Sequence, residues 1–403
     1  MVRFIHAADL HLDTPFHGLK EISEELSHIM QEAPFQSFRK IVDKAIEETV
    51  DFVLLSGDLY NTQKINIKAQ SIFIHELMRL EQENIPVFLI RGNHDFLTDE
   101  TEKLTLKLPE NVFRYSEEVT SHVISTKTGE KIAVSAFSYE RQWIRERKIQ
   151  DYPERFENVD MHIGMLHGAP DAIKGSNGNY APFSLAELKQ KNYDYWALGH
   201  IHQRQQLSSH PLAFYPGNIQ ALHRNEKGEK GCLLIEWTNR GSEIEFIATA
   251  PIVWEEITIE LATIHNINQL IRRIKEELIE KKFTENYLIH LNVQVNSDDD
   301  EKLIEILQKD SFIEDLTNQL NLPNLWIADI EIQVSKIGEQ RNLEELYPEE
   351  WEKAIKNMKE RHVFSELTEG ILNNIANRYL GESNTEEYRE RMIKKAISKI
   401  YLK

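Results

Sequence analysis

Four apolar runs in the first two hundred residues each stop at a polar cluster. Phe4 to Ala8 runs into Asp9-Leu10-His11, Phe52 to Ser56 into Gly57-Asp58, Val87 to Ile90 into Gly92-Asn93-His94-Asp95, and Trp196 to Leu198 into Gly199-His200-Ile201-His202. A fifth cluster, His167-Gly168, follows the mixed run Met161 to Leu166. Short apolar runs bounded by glycine and polar residues read as buried strands, and helical patterns at Phe38 to Glu48 and Ile67 to Glu83 alternate with them, so the first 250 residues predict an α/β fold. In open α/β sheets ligands gather at strand ends, which is where these clusters stand.

The residue types point to metal-assisted chemistry at phosphorus. Two divalent ions about 3.5 to 4 Å apart can clamp the attacking and leaving oxygens of an in-line displacement and lower the pKa of a bound water towards neutrality. A carboxylate is the natural bridge between two such ions, and Asp58 is the candidate. Asp9 and His11 lie two residues apart, so both can turn onto one ion if Asp9 ends a strand. His200 and His202 repeat that spacing after Gly199, which lets the backbone approach closely. His167 and Asn93 complete the second ion.

The order D-x-H, G-D, G-N-H-D, H and G-H-x-H resembles that of the calcineurin-like metallophosphoesterases over roughly residues 1 to 250. The resemblance implies a four-layer sandwich, two mixed β-sheets flanked by helices. It implies one ion held by Asp9, His11, Asp58 and His202, and another by Asp58, Asn93, His167 and His200. It gives His94 the part of general acid, or of donor to the developing charge, beside the scissile phosphate.

Further residues resemble the SbcD type of DNA-repair exonuclease, and its YhaO-like bacterial branch. They are Phe4 to Asp13, Leu54 to Tyr60, and Tyr215-Pro216-Gly217-Asn218-Ile219-Gln220 followed by Lys230-Gly231-Cys232, which looks like the strand pair closing that family's catalytic domain. One position departs from the pattern. SbcD-type enzymes commonly carry a histidine three residues after the bridging Asp, and here Asn61 stands there. An amide can hydrogen-bond a phosphate but cannot carry a proton at neutral pH, so the departure bears on exonuclease against endonuclease cutting.

Other polar residues have plainer readings. His6, His28, His75, His122 and His17 are read as packing or surface residues. Asp95 either orients His94 or caps the segment that follows. In Arg141-Gln142-Trp143-Ile144-Arg145-Glu146-Arg147-Lys148, residues Arg141, Arg145 and Arg147 could contact phosphates with Trp143 as a base platform, or the run is a solvated helix face.

At 403 residues the chain is long for one core, so two or three domains are expected. Its formal net charge of -19 is unusual for a protein that tracks phosphates and predicts weak intrinsic DNA affinity. Apolar runs are far shorter than the ~18 residues of a membrane helix. The first strand begins at once, leaving no room for a cleavable signal, and Cys232 is the single cysteine, so a reducing cytoplasm is expected.

After residue 250 the pattern resets. A strand at Ile257 to Leu261, a helix at Ile267 to Lys282, a strand at Tyr287 to Val295, a helix opening near Ser297-Asp298 and a strand at Trp326 to Val334 predict a small βαβαβ domain over 254–338. By resemblance it is a cap that helps select DNA ends. Residues 339–403 read as helical, with apolar stripes Leu343, Leu346, Trp351, Ile355, Met358, then Phe364, Leu367, Ile371, Ile375, then Tyr388, Met392, Ile397, Ile400 after Asn384-Thr385. These helices either pack on themselves or, as in SbcD-type proteins, grip an SMC-like ATPase of the SbcC/YhaN kind.

The sequence therefore predicts a two-metal phosphodiesterase acting on duplex DNA ends beside such an ATPase, with a homodimer compatible. A mixed N/O site accepts Mn, Fe, Zn or Co, and manganese rests on the resemblance. Two alternatives stand beside this reading. One is a phosphatase or cyclic-nucleotide phosphodiesterase with the same metals. The other is a weakly active regulatory or scaffolding subunit of an ATPase complex.

Overall fold

The computed structural model describes residues 1–14, 24–61, 66–96, 106–171, 180–260, 266–280, 285–295, 306–307, 310–320, 322, 324–334, 347–360, 362–364, 389–390, 392–393 and 396. The chain divides into two compact units between Val253 and Trp254.

The first unit is built on two six-stranded mixed sheets. In one, β1 (Val2–Ala7), β2 (Phe52–Ser56), β3 (Val87–Ile90) and β4 (Val112–Arg114) run parallel, and β11 (Gly231–Thr238) and β12 (Gly241–Ala248) extend it antiparallel beside β1. In the other, β6 (Lys131–Ala136), β7 (Met161–His167), β8 (Tyr195–Gly199) and β10 (Leu212–Tyr215) are parallel, with β5 (Thr120–Ser125) and β9 (Gln205–Ser209) antiparallel at the edges.

Both faces of the central strands are covered, which is why they read as continuous apolar runs. On β1, Phe4 points into the space between the sheets with Phe52, Phe88, Ile163, Met165 and Tyr195. Its neighbour Ile5 faces the opposite way, towards Phe38, Ile41, Phe73 and Leu77 of α1 (Glu24–Glu47) and α2 (Ile67–Gln82). The outer face of the second sheet buries Leu166, Trp196 and Leu198 against Phe137, Tyr152 and Leu188, the last from α3 (Leu185–Lys191). Helices, sheet, sheet, and helix with loops make the four layers expected. Hairpin turns at Thr128-Gly129 and Asn239-Arg240-Gly241 join β5 to β6 and β11 to β12.

Three local expectations are corrected. Strand β1 ends at Ala7, so Asp9 and His11 lie in the turn beyond it. The segments Tyr215 to Gln220 and Lys230 to Cys232 do not form a strand pair, because β10 and β11 belong to different sheets. Residues 141–147 are not a helix. Ile144 is buried and bridges Tyr180, and only Lys148–Asp151 closes a 3₁₀ turn. A helix would carry Ile144 away from that bridge.

The second unit has the order β13 (Ile252–Glu260), α4 (Ile267–Glu280), β14 (Asn286–Val295), α5 (Asp310–Leu320), β15 (Leu325–Val334), with a three-stranded sheet whose β14 and β15 are parallel. Ile257, Ile289, Leu291 and Ile327 face Leu270, Ile274 and Leu316 of its helices. Beyond it, α6 (Pro348–Lys359) carries half-buried Trp351, Ile355 and Met358 on one stripe. His17, the helix opening near Ser297-Asp298, and Leu343, Leu346, Leu367, Ile371, Ile375, Asn384, Thr385, Tyr388, Ile397 and Ile400 lie outside the described residues. Among the described residues no helix is long and apolar enough to cross a membrane.

Candidate metal centre

The polar clusters meet where β1, β2 and β3 of one sheet and β7 and β8 of the other release their chains. Four of the candidate residues have left-handed backbone: Asp9 (φ 50°), His11 (φ 43°), Asp58 (φ 50°) and His200 (φ 102°). Such conformations are unfavourable for non-glycine residues and persist only where the surroundings enforce them. Here the turn after β1 is bonded to the turn after β2. Asp9, His11 and Leu12 donate their N–H groups to the carbonyls of Gly57, Asp58 and Leu59, each at 3.0 Å.

Two groups of ligand atoms result. Asp9, His11 and His202 bring one atom each within 4.8 Å of one another, as do Asp9, Asp58 and His167. His11 Nε2 and His202 Nε2 are 3.1 Å apart. Asn93 Oδ1 lies 3.0 Å from His167 Nε2 and 3.1 Å from His200 Nδ1. Asp58 Oδ2 lies 3.3 Å from His167 Nε2 and 3.9 Å from His11 Nε2, between the groups. Asp9 also accepts the His200 N–H at 2.9 Å, so its carboxylate is shared between the two halves of the site.

The donor set fits divalent cations. His11 Nδ1 is buried without a partner, so neither tautomer of His11 satisfies both of its nitrogens by hydrogen bonds alone. Two buried carboxylates, four imidazoles and an amide oxygen suit a borderline divalent ion. Burial raises the pKa of Asp9 and depresses those of His11 and His200 to about 3. Burial also opposes the charged forms of Asp58 and His167, but their mutual attraction wins. It holds Asp58 well below the carboxylate range and, with Asp9, pushes His167 up to about 9.

Three glycines make room for His167. A Cβ on Gly57 would lie 2.4 Å from His167 Nδ1, one on Gly199 would lie 2.9 Å from it, and one on Gly92 would lie 2.2 Å from Asp58 Oδ1. Glycine in the Gly57-Asp58, Gly92-Asn93 and Gly199-His200 clusters is thus a steric signal as well as a turn signal. His167 is further held by Nδ1 donating to the Ser56 carbonyl at 3.0 Å and by Tyr139 Oη donating to its own carbonyl at 2.9 Å.

His94 is exposed, with its ring edge-on to His11 at 5.3 Å. Its N–H donates to Asp58 Oδ1 at 2.9 Å, and its Nδ1 lies 3.2 Å from the backbone carbonyl of Asn61. Asp95 does not reach His94. Its Oδ1 accepts from Gly92 N at 2.7 Å and its Oδ2 from Leu59 N at 3.0 Å, which ties the third polar cluster to the second.

The arginines stand differently. Arg147 donates to Glu187 and Asp171, and Arg141 to Glu140 and Glu146, so both guanidinium groups are engaged by carboxylates. Arg145 is exposed. Glu226 was missed altogether. It binds His202 Nδ1 at 2.5 Å, from 24 residues away, with no spacing signal to reveal it.

A family model for calcineurin-like phosphoesterases matches residues 2–204, and the chain belongs to that family. It is 39% identical over 277 residues to the YhaO metallophosphoesterase of Bacillus subtilis, covering 68% of this chain and 66% of that protein, just under two thirds of its length. It is 26% identical over 285 residues to the DNA double-strand break repair protein Mre11 of Methanocaldococcus jannaschii, covering 68% of this chain and 73% of that one. Among solved structures, the chain is similar to a dimetal phosphatase from Danio rerio over 62% of this chain and 99% of that chain at 11% identity, with a TM-score of 0.37. The family implies divalent metals, and the two groups of converging side chains are the candidates to hold them.

Proposed function

We propose that this chain is a nuclease that hydrolyses DNA phosphodiesters with two divalent ions, manganese by its likeness to the SbcD type. We place it at duplex ends beside an SMC-like ATPase. The observation that carries the reading is the position of Asp58 Oδ2, within 3.3 Å of His167 Nε2 and 3.9 Å of His11 Nε2, where a bridging carboxylate belongs. Asp9, His11, Asp58 and His202 would hold one ion, and Asp58, Asn93, His167 and His200 the other. When bound, two such ions supply positive charge at the phosphate and acidify water. The DNA substrate and the ATPase are supported by relatives named for double-strand break repair and by the SbcD-like sequence features.

The protein's own groups supply the proton transfer. With Nδ1–H given to the Asn61 carbonyl, His94 would need its ring doubly protonated to pass an Nε2 proton to the leaving oxygen, after which Nε2 keeps the lone pair. Asp58 fixes that loop by accepting the His94 N–H. Because Arg141 and Arg147 are paired with carboxylates and the net charge is -19, phosphate binding would fall mainly to the ions held by the site, and duplex binding would be weak with a shallow salt dependence.

The test compares Mn²⁺-dependent turnover of blunt and overhanging duplex DNA with that of bis(p-nitrophenyl) phosphate, cyclic nucleotides and phosphomonoesters. DNA cutting that disappears in Asp58→Asn is expected. Turnover confined to cyclic nucleotides or monoesters would replace the nuclease with a small-substrate enzyme.

A further inference from the structure

Ligand His202 is gripped from outside the polar clusters. Glu226, whose side chain is 9% exposed, faces His202 Nδ1 with Oε1 at 2.5 Å. Its second oxygen is occupied, since Oε2 accepts from Asn218 Nδ2 and from Leu222 N, both at 2.7 Å. The main chain of His202 is held as well, by Lys230 Nζ donating to its carbonyl at 3.0 Å and by Asn218 N at 3.3 Å. Ring and backbone of one residue are therefore fixed by a single turn of chain, 218–230.

A carboxylate accepts only, so the proton of a neutral His202 must sit on Nδ1, leaving Nε2 as a lone pair. That lone pair lies 3.1 Å from His11 Nε2, inside the group formed by Asp9, His11 and His202. His200 is braced differently: its Nδ1 faces Asn93 Oδ1, and its ring lies against Tyr180 at 4.5 Å.

We infer that Glu226 is a positioning residue for one of the two ions, the one at Asp9, His11 and His202. It sets that ion's affinity by selecting the tautomer and direction of His202. The inference rests on the two-ion assignment above. Carboxylates behind metal-binding histidines typically contribute 10- to 100-fold in affinity. The isosteric change Glu226→Gln has a specific consequence. Two donors, Asn218 Nδ2 and Leu222 N, draw the amide oxygen to their side, which turns the amide NH₂ towards His202 Nδ1. That arrangement favours the proton on Nε2 and blocks the ligand atom.

The experiment titrates the chelator-stripped full chain with Mn²⁺ alone, following stoichiometry calorimetrically and spin coupling by electron paramagnetic resonance. Wild type should bind two ions and show a coupled pair. Glu226→Gln should weaken one site by about 10- to 100-fold, leave the other unchanged and give an uncoupled signal. Glu226→Asp, which keeps an acceptor-only group, should recover part of the loss, and the metal-free melting temperature of the variants should stay near wild type. Two wild-type affinities in Glu226→Gln would overturn the inference, as would equal weakening of both sites with a lowered metal-free melting temperature. A wild-type chain that binds no Mn²⁺ would instead defeat the two-ion assignment itself, and this inference with it.

Discussion

His94 is oriented by Asn61 through the main chain: Nδ1 lies 3.2 Å from the carbonyl oxygen of residue 61, a contact that any side chain there would leave in place. The amide at that position, where SbcD-type enzymes commonly carry histidine, is therefore compatible with a working His94. Asn61→Ala should keep turnover within a few fold. His94→Ala should lower turnover by the ~10² to 10⁴ of a lost general acid or transition-state donor, with two Mn²⁺ still bound. Loss of an ion in His94→Ala, read by metal analysis, would make it a ligand instead.

Asp58 Oδ2 lies 3.3 Å from His167 Nε2 and 3.9 Å from His11 Nε2, so it lies near both groups of candidate ligand atoms, whereas His11 belongs to one. Asp58→Asn should therefore reduce Mn²⁺ content towards zero and abolish hydrolysis. His11→Ala should retain one ion and more residual activity. Equal metal content in the two variants would remove Asp58 from the bridging position.

Asp95 joins two loops by taking the N–H groups of Gly92 and Leu59 on separate oxygens. Asp95→Ala leaves two buried donors unpaired, at about 1 to 3 kcal/mol each. A fall in metal-free stability should appear in denaturant unfolding, together with weaker Mn²⁺ binding, because Asn93 and Asp58 ride on the loops that separate. An Asp95→Ala chain as stable as wild type would show that the loops are held by the sheet alone.

Acid should destabilise the first unit partly through His162. Its Nδ1 accepts from Phe156 N at 3.1 Å, so Nε2 donates to Ser135 Oγ at 2.8 Å, and a second ring proton would oppose the Phe156 N–H. Burial, with Arg155 nearby, depresses its pKa to about 4. A histidine in the unfolded chain titrates near 6.5. Between those values the unfolded state holds a proton that the folded state lacks. The stabilising effect is thus present above about pH 6.5 and is lost as pH falls towards 4. His162→Gln should make stability less steep in that window, by up to about 1.4 kcal/mol per pH unit. Parallel pH curves for the two proteins would show that His162 does not titrate on unfolding.

The convergence of the candidate ligands was legible because each stands within a few residues of a strand end, and most strands buried on both faces announce themselves as apolar runs. Asp9, His11, Asp58, Asn93, His200 and His202 needed only that logic to be gathered in one place, whereas His167 follows the mixed run Met161 to Leu166. The order of elements in the small βαβαβ unit was legible for the same reason, since periodicity changes from strand to helix and back within a dozen residues.

What lay beyond reach depends on contacts that close over long stretches of chain. Glu226 reaches His202 across 24 residues and Asp95 reaches Leu59 across 36, and no local preference marks either partner. The segment holding Arg141 and Arg147 has a charge pattern equally suited to a helix, and its bridge to Tyr180 decides otherwise. Strands β10 and β11 look like neighbours in sequence, yet they part into two sheets because each finds a better edge, β8 for one and β1 for the other. By itself the sequence determined which atoms could bind metal, since donor type is a property of the side chain and strand ends are local. Only the tertiary structure decided how those atoms are aimed. Left-handed turns at Asp9, His11 and Asp58, glycine clearances around His167 and the carboxylate behind His202 exist only once distant backbone segments hold one another in place.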